Sequence, residues 1–374
     1  MFRKHVIRSR WYFAIATLGL ITAWVFNAWA VFEQADYLRS WFGSAVDWVL
    51  SLDLLLVIVT AATFMILEAR RLKMRAVWIY FLLSGLTAFA FTFPLFMAFR
   101  ERAQLRRKLA GGQIEIFEFD QHRVDVWRPA KKLEPDTPIL VFHDGKNVLD
   151  PTHSTFGASW GVLDAFSSGE LRSTTPPVVI AVWGKSDDTR IRELAPESIV
   201  KSHPEFWKNV PEEWIPTGTQ LMGDAYVSLV ADAVLPFVAE RYGLELAPER
   251  TAIAGASMGG LASLYAMAER PDSYGTAICF STHWTLGGND LVDELCYALP
   301  NPGKHRVWTD AGSIELDAEY RDLHLRAETK LRDRGFGSRF NRDDLITAIL
   351  PNSGHSERYW ARRLPDALNW WLRA

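Results

Sequence analysis

Cysteine is almost missing from this chain: Cys279 and Cys296 are the only two in 374 residues. That excludes a disulfide framework and any cysteine-built zinc site. One bridge between the pair would need an oxidising compartment, and two independent buried thiols are the expected state. A surplus of either charge is missing as well. With a net charge of -3 and a pI of about 6.3, the chain has no global electrostatic footprint for nucleic acid. Internal repeats and low-complexity segments are also lacking, so the chain is not a repeat array. Aromatic residues, by contrast, are plentiful at 13%, with sixteen Trp. Five of these (Trp11, Trp24, Trp29, Trp41 and Trp48) fall in the first fifty residues, the placement expected near a membrane interface. The length calls for one large domain plus an appendage.

Three apolar stretches occupy the first hundred residues: Trp11–Phe32, Val46–Leu67 and 76–99. The first carries no formal charge and is long enough to span roughly 30 Å of hydrocarbon. The second carries Asp47 and Asp53, and the third has Pro94 near its end. A signal peptide is the rival reading of the first, since Arg3, Lys4, Arg8 and Arg10 precede it and Ala28-Trp29-Ala30 resembles a cleavage site. Two further stretches following closely favour a three-span bundle instead. With three crossings, the N-terminal flank and second loop (Arg70, Arg71, Lys73, Arg75) hold eight Lys and Arg. The opposite side holds six: Arg39 and, after the third stretch, Arg100, Arg102, Arg106, Arg107 and Lys108. That narrow balance places the C-terminal domain outside the cytoplasm of a bacterial inner membrane protein. Asp53 inside the second stretch is either functional or kept wet by the nearby interface. The run DWVLSLDLLLVIV…ILEARRLKMRAVWIY…FTFPLFMAFRER resembles a family of small three-helix bacterial membrane proteins of unknown function. That resemblance covers about residues 10–105 and implies a topology, but no chemistry.

A charged run and Gly111-Gly112 close this region, giving a boundary between residues 1–108 and 109–374. Beyond it the pattern becomes short β-prone runs: IEIFEF, HRVDVWRP, PILVFHDG, PVVIAVWG, RTAIAGAS, YGTAICFS, HRVWTDAG and LITAILPN. Helical segments, among them Asp224–Tyr242, Met258–Glu269 and Ala318–Arg334, lie between several of them. Near-continuous apolar strands alternating with helices predict an α/β domain with a mostly parallel sheet covered on both faces.

Within this pattern, TAIAGASMGGLASLYA places Ser257 between a strand and a helix, with Gly255 and Gly259 two positions to either side. A nucleophilic serine needs such a turn. It projects the hydroxyl over the carboxyl edge of the sheet, and the next amide, that of Met258, opens a helix that can stabilise an oxyanion. Gly260 adds room for the helix to pack. A serine hydroxyl also needs a base. Four histidines follow Ser257, and His355, in the loop PNSGHSERYW after the last strand, is the candidate. His283 was available in the same order, while His305 and His324 are expected at the surface. An acid should follow the strand HRVWTDAG, where Glu315, Asp317 and Asp310 stand, in that order of preference. The earlier loop HDGKNVLDP offers the amide of Gly145 or Lys146 as a second oxyanion donor. His143 and Asp144 in that loop could ligate a metal, but no second cluster has ligand spacing. No cofactor is implied. Trp370 and Trp371 are expected to pack the terminal helix. Phe206, Trp207 and Trp214 in the insert 201–221 are candidates for a pocket rim.

Four of these stretches, in order, carry a second resemblance. HDGKNVLDP…SWGVLDAF is similar to HDGQNLFDP…WGVDEAL of the esterase family that groups enterochelin esterases, S-formylglutathione hydrolases, feruloyl and acetyl-xylan esterases and mycolyltransferases. VVIAVWGKSDDTRIRELAPE resembles the family's R..E..P loop at Arg190, Glu193 and Pro196. GASMGGLASLYA matches its nucleophile elbow, and SGHSERYWARRLPDALNWWL its GGHNE..W..RLP ending. Over residues 114–374 the resemblance implies an α/β-hydrolase fold, Ser257 as nucleophile and His355 as base. The family's G-T-x-E/D pattern against GSIELDAEY supports Glu315, and the LDA..Y likeness keeps Asp317 in view. Lys146 stands where the family usually has Gln. The expected activity is ester hydrolysis by a membrane-anchored serine esterase through an acyl-enzyme. The partners are a small-molecule, lipid or glycan ester and the membrane, not nucleic acid. One alternative is an acyltransferase on envelope lipid or glycan; another is a non-catalytic scaffold or binding protein.

Overall fold

The computed structural model describes residues 2–373, apart from 73, 75, 156, 169–170, 173–174, 204–218 and 340–342. The aromatics Phe206, Trp207 and Trp214 lie outside the described residues. The chain forms two units, Met1–Leu109 and Ala110–Ala374.

The first unit is helical: α1 (Phe2–Phe32), α2 (Tyr37–Phe42), α3 (Ala45–Arg71), α4 (Trp78–Leu86) and α5 (Phe89–Lys108). Among the described residues, two helices are long and apolar enough to cross a membrane: Lys4–Phe32 and Ala45–Arg71. Large apolar side chains such as Leu18, Trp24, Leu56 and Val59 are exposed along them, and Asp53 is also on an exposed face. The third apolar stretch, expected as a single span, is divided. Residues 76–99 are not one helix, because the chain breaks at Thr87 and Ala88, where the backbone leaves helical geometry.

The sequence around the break explains it. Gly85 weakens the end of α4, and the Thr87 hydroxyl donates back to the Leu83 carbonyl at 2.7 Å, competing with the helical ladder. The two helices then fold back on each other: Ser84 and Thr92 share a hydrogen bond, and the Tyr80 and Phe96 rings meet edge-on at 5.5 Å. Pro94 inside α5 has no amide for the Ala90 carbonyl. That carbonyl lies against Gly19 of α1, where an added Cβ would stand 2.3 Å from it.

The second unit is built on one sheet of eight strands: β1 (Gln113–Phe119), β2 (His122–Arg128), β3 (Ile139–Phe142), β4 (Val178–Val182), β5 (Thr251–Ala256), β6 (Thr276–Phe280), β7 (Arg306–Gly312) and β8 (Leu345–Leu350). All eight β-prone runs of the sequence became strands. Their spatial order is β1-β2-β4-β3-β5-β6-β7-β8. β1 and β2 form an antiparallel edge, and everything from β4 to β8 is parallel. The helices are α6 (Val162–Ser168), α7 (Asp187–Leu194), α8 (Glu197–Ser202), α9 (Gly223–Ser228), α10 (Leu235–Tyr242), α11 (Met258–Glu269), α12 (Gly288–Ala298), α13 (Arg321–Asp333) and α14 (Glu357–Trp371).

Side chains two apart along a strand share a face. Val124, Val141, Ile180, Ile253 and Val307 enter one core with Val238 of α10, Leu264 of α11, Leu295 of α12 and Leu331 of α13. On the other face Phe142 and Phe280 each meet Trp160 edge-on, at 5.3 and 5.4 Å, and Trp160 meets Trp360 of α14 at 5.5 Å. The sheet is therefore covered on both sides. Cys279 and Cys296 are free and buried, and Trp370 and Trp371 are packed inside α14's contacts.

Candidate active site

Parallel strands bring their carboxyl ends to one edge, and the loops leaving β3, β5, β6, β7 and β8 meet there. Ser257 sits between β5 and α11 with φ 56° and ψ -122°, a conformation that costs a non-glycine residue energy. The turn holds because its backbone is tied on both sides. The Ser257 amide donates to the Phe280 carbonyl at 3.0 Å, and its carbonyl accepts from the His283 amide at 3.2 Å. Of the two flanking glycines, Gly255 is the crowded one: a Cβ there would stand 2.3 Å from the Gly259 carbonyl oxygen. Gly259 has ordinary room, with the nearest atom, Cβ of His143, at 3.4 Å. Gly260, where a Cβ would meet the Thr282 hydroxyl at 2.9 Å, lets α11 close on β6.

The loops after β7 and β8 are laced together. The Ser353 carbonyl accepts from the amides of Ser313 at 2.8 Å and Ile314 at 3.2 Å. This lacing sets His355 against the acids. His355 Nδ1 and Asp317 Oδ1 are 2.6 Å apart, and Asp317 is fully buried. The other Asp317 oxygen accepts from the Ser281 hydroxyl at 2.5 Å and the Gly312 amide at 2.6 Å. Burial opposes ionisation of this carboxyl, but the hydrogen bonds from His355, Ser281 and Gly312 prevail and hold its pKa below the usual carboxylate value.

Glu315, preferred from the sequence, does not meet the imidazole ring among the described contacts; its carboxylate accepts from the His355 backbone amide at 3.2 Å. Asp310 does not meet it either. It lies at the sheet edge, accepting from Arg363 Nη1 at 2.6 Å and Trp308 Nε1 at 2.9 Å, and burial raises its pKa to about 6. The reason is geometric. Asp310 is still inside β7, Glu315 opens the following turn at φ 56°, and only Asp317 points back beneath the histidine.

The HDG loop lies beside the elbow. Asp144 adopts a left-handed conformation, φ 53°, and is held by two hydrogen bonds from Arg190, each 2.6 Å. His143 Nδ1 meets the Tyr226 hydroxyl at 2.9 Å, and burial pushes its pKa down to about 4. Neither residue is arranged as a ligand. Gly145–Asn147 form a short helical turn after Asp144, and Met258 opens α11 directly after Ser257. Glu193, which stands between Arg190 and Pro196 in the expected loop motif, meets His122 Nε2 at 3.2 Å.

Two side chains were not singled out from the sequence. The Tyr320 hydroxyl bonds His283 Nδ1 at 2.5 Å, and its ring meets His355 edge-on at 5.5 Å. Ser281 is the second: it also accepts from Trp360 Nε1 at 3.0 Å and Arg363 Nη2 at 3.1 Å, joining β6, Asp317 and α14. Tyr320 was visible inside LDAEY; Ser281 had no local signal. His324, expected at the surface, is instead buried in α13 with Nε2 3.1 Å from the Thr347 hydroxyl.

An eight-stranded, mostly parallel sheet with a strained serine turn and an aspartate-bound histidine at its carboxyl edge defines a protein of the α/β-hydrolase class. Residues 121–371 match the family described as "Putative esterase", and the chain belongs to that family. Residues 11–102 match a second family, described as a protein of unknown function, DUF2834. An uncharacterised Bacillus subtilis protein, YbbA, is 26% identical over 156 residues, covering 40% of this chain and 60% of that protein. The enterobactin esterase of Shigella flexneri, solved with enterobactin, is 16% identical with a TM-score of 0.50, covering 70% of this chain and 58% of that one. The ferric enterobactin esterase of Salmonella typhimurium has 16% identity and a TM-score of 0.46 over 70% and 58% of the two chains. The chain thus spans about three-fifths of these relatives' lengths. The structural likeness at this identity is one of fold.

Proposed function

We propose that this protein is a membrane-anchored serine esterase that forms an acyl-enzyme on Ser257. The observation that carries the reading is the pairing of a serine at φ 56° with a His355–Asp317 contact of 2.6 Å on the same sheet edge. Buried Asp317 holds the proton on Nδ1, which leaves Nε2 free to take the proton of Ser257. The serine oxygen attacks an ester carbonyl, and the negative charge that develops is met by the amide of Met258 and by one from Gly145 or Lys146. The imidazolium then gives its proton to the leaving alcohol. Water, activated by the same nitrogen, releases the acid and restores the serine.

Family membership supports the ester substrate, and the two apolar helices support the anchor. The substrate is an ester of a small molecule, lipid or glycan. The test is product analysis with p-nitrophenyl esters of increasing acyl length, with and without an added alcohol. Free acid as the dominant product in both conditions supports a hydrolase. Transfer of the acyl group to the alcohol ahead of water makes the protein an acyltransferase with the same residues. No turnover of any ester by folded protein contradicts both.

A further inference from the structure

The helical unit decides which side of the membrane the chain leaves on. α1 and α5 run antiparallel: His5 Nδ1 meets Glu101 Oε2 at 2.7 Å, the Ser9 hydroxyl donates to the Ala98 carbonyl at 3.1 Å, and Gly19 faces Ala90. The start of α5 therefore lies beside the middle of α1, not beside its far end. From Trp11 to Gly19 is about 12 Å along a helix, and from Gly19 to Phe32 about 20 Å more. The α4–α5 turn at Thr87 and Ala88 stops near that middle level. α4, with nine residues, is about 13 Å long, less than half of the hydrocarbon thickness.

The end of α3 is at the same level as the start of α1. Glu68 binds Arg100 Nε at 2.7 Å and Arg71 Nη2 at 2.6 Å, and Arg100 Nη1 reaches Glu101 at 2.9 Å. These charges pair with one another at one end of the bundle, as charges do where the hydrocarbon gives way to water. At the opposite end α2 closes the connection, its Tyr37 hydroxyl donating to Asn27 at 2.9 Å and its Trp41 carbonyl accepting from Ser51 at 2.8 Å.

We infer that α4 and α5 form a re-entrant hairpin that enters the bilayer and leaves by the same face, so that the catalytic unit lies in the cytoplasm. This rests on the anchor reading above. It reverses the orientation expected from three crossings, and the charge distribution explains why that balance was narrow. With two crossings and a hairpin, the N-terminal flank, the α3–α4 connection and the α5 exit share one side. That side then carries thirteen Lys and Arg (Arg3, Lys4, Arg8, Arg10, Arg70, Arg71, Lys73, Arg75, Arg100, Arg102, Arg106, Arg107, Lys108), against Arg39 alone on the other. So one-sided a distribution fixes the basic side as cytoplasmic. The backbone breaks at a depth where free polar groups are costly. The break is covered by a hydroxyl bonded to a carbonyl and by the contact of Ala90 with Gly19. The esters that reach Ser257 are then those of the cytosol or of the inner leaflet.

The full-length chain, expressed in a Gram-negative host with Ala35→Cys or Lys108→Cys, reports the topology through a membrane-impermeant maleimide. The two native cysteines are buried and give little background. Carbonate-washed membranes are analysed in parallel. The expected result is protein in the membrane fraction, Ala35→Cys labelled in intact spheroplasts, and Lys108→Cys labelled only after permeabilisation. Membrane-bound protein with Lys108→Cys labelled in intact spheroplasts overturns the hairpin orientation and leaves the anchor standing. Protein released by carbonate overturns the anchor, and the orientation with it. Ester turnover is unaffected by any of these outcomes.

Discussion

Three carboxylates stand within eight positions of one another, and only their contacts separate them. Asp317 holds the Nδ1 nitrogen of His355, Glu315 its backbone amide, and Asp310 an arginine in the layer below. Replacing Asp317 by Asn removes the acceptor that fixes the tautomer, and kcat should fall roughly 10⁴-fold with KM little changed. Glu315→Gln should stay within about tenfold of the parent, since the amide can still bond the neutral side chain. Steady-state kinetics on the two variants decide between the acids. A larger loss for Glu315→Gln would move the role to that residue. The sequence narrowed the acid to one loop and preferred Glu315, which meets the backbone amide and not the ring, because spacing along a chain does not say where a tight turn points a side chain.

At the scale of the element, the turn around Ser257 depends unequally on its glycines. A Cβ at Gly255 collides with backbone, which cannot give way as a flexible side chain can. Gly255→Ala should therefore cost more than about 3 kcal/mol, read as a fall of roughly 6–12 °C in thermal midpoint. Gly259→Ala should fold with a midpoint within about 2 °C of the parent, since its nearest neighbours are at contact distance. Equal losses for the two would mean that the turn is not built as described.

The strands and this elbow were legible because burial on both faces writes an apolar run, and a strained turn writes glycine beside serine. The helical hairpin was not. Residues 76–99 have the composition of a crossing, and hydropathy does not register a chain reversal at Thr87. Its traces, Gly85, Thr87 and Pro94, are each common inside membrane helices, and only the contact with Gly19 gives them one meaning.

At the scale of the whole molecule, the second unit buries three neutral imidazoles, His143, His283 and His324, whose pKa values burial pushes down to about 4. In the unfolded chain each would titrate near its ordinary 6.5. Between those values the unfolded state binds protons that the native state refuses, so stability is lost as pH falls from about 6.5 to 4. Asp310, raised by burial to about 6, and Asp344 and Glu357, also raised by burial, oppose this, while Asp144 and Asp317, held below the usual carboxylate value, add to the loss at low pH. The thermal midpoint of the detergent-solubilised chain should hold steady above pH 7 and fall on acidification, with a shallower fall in His324→Gln. A midpoint that rises toward pH 4.5 would contradict the buried, neutral histidines.

The proposed chemistry converges on Ser257, and covalent labelling tests it most directly. Purified full-length protein is treated with a fluorophosphonate, and the modified peptide is identified by mass spectrometry. The expected result is one adduct on Ser257, formed slowly in Asp317→Asn and not at all in Ser257→Ala. A folded protein that forms no adduct, or that labels equally after Ser257→Ala, would contradict the assignment of Ser257 as the nucleophile.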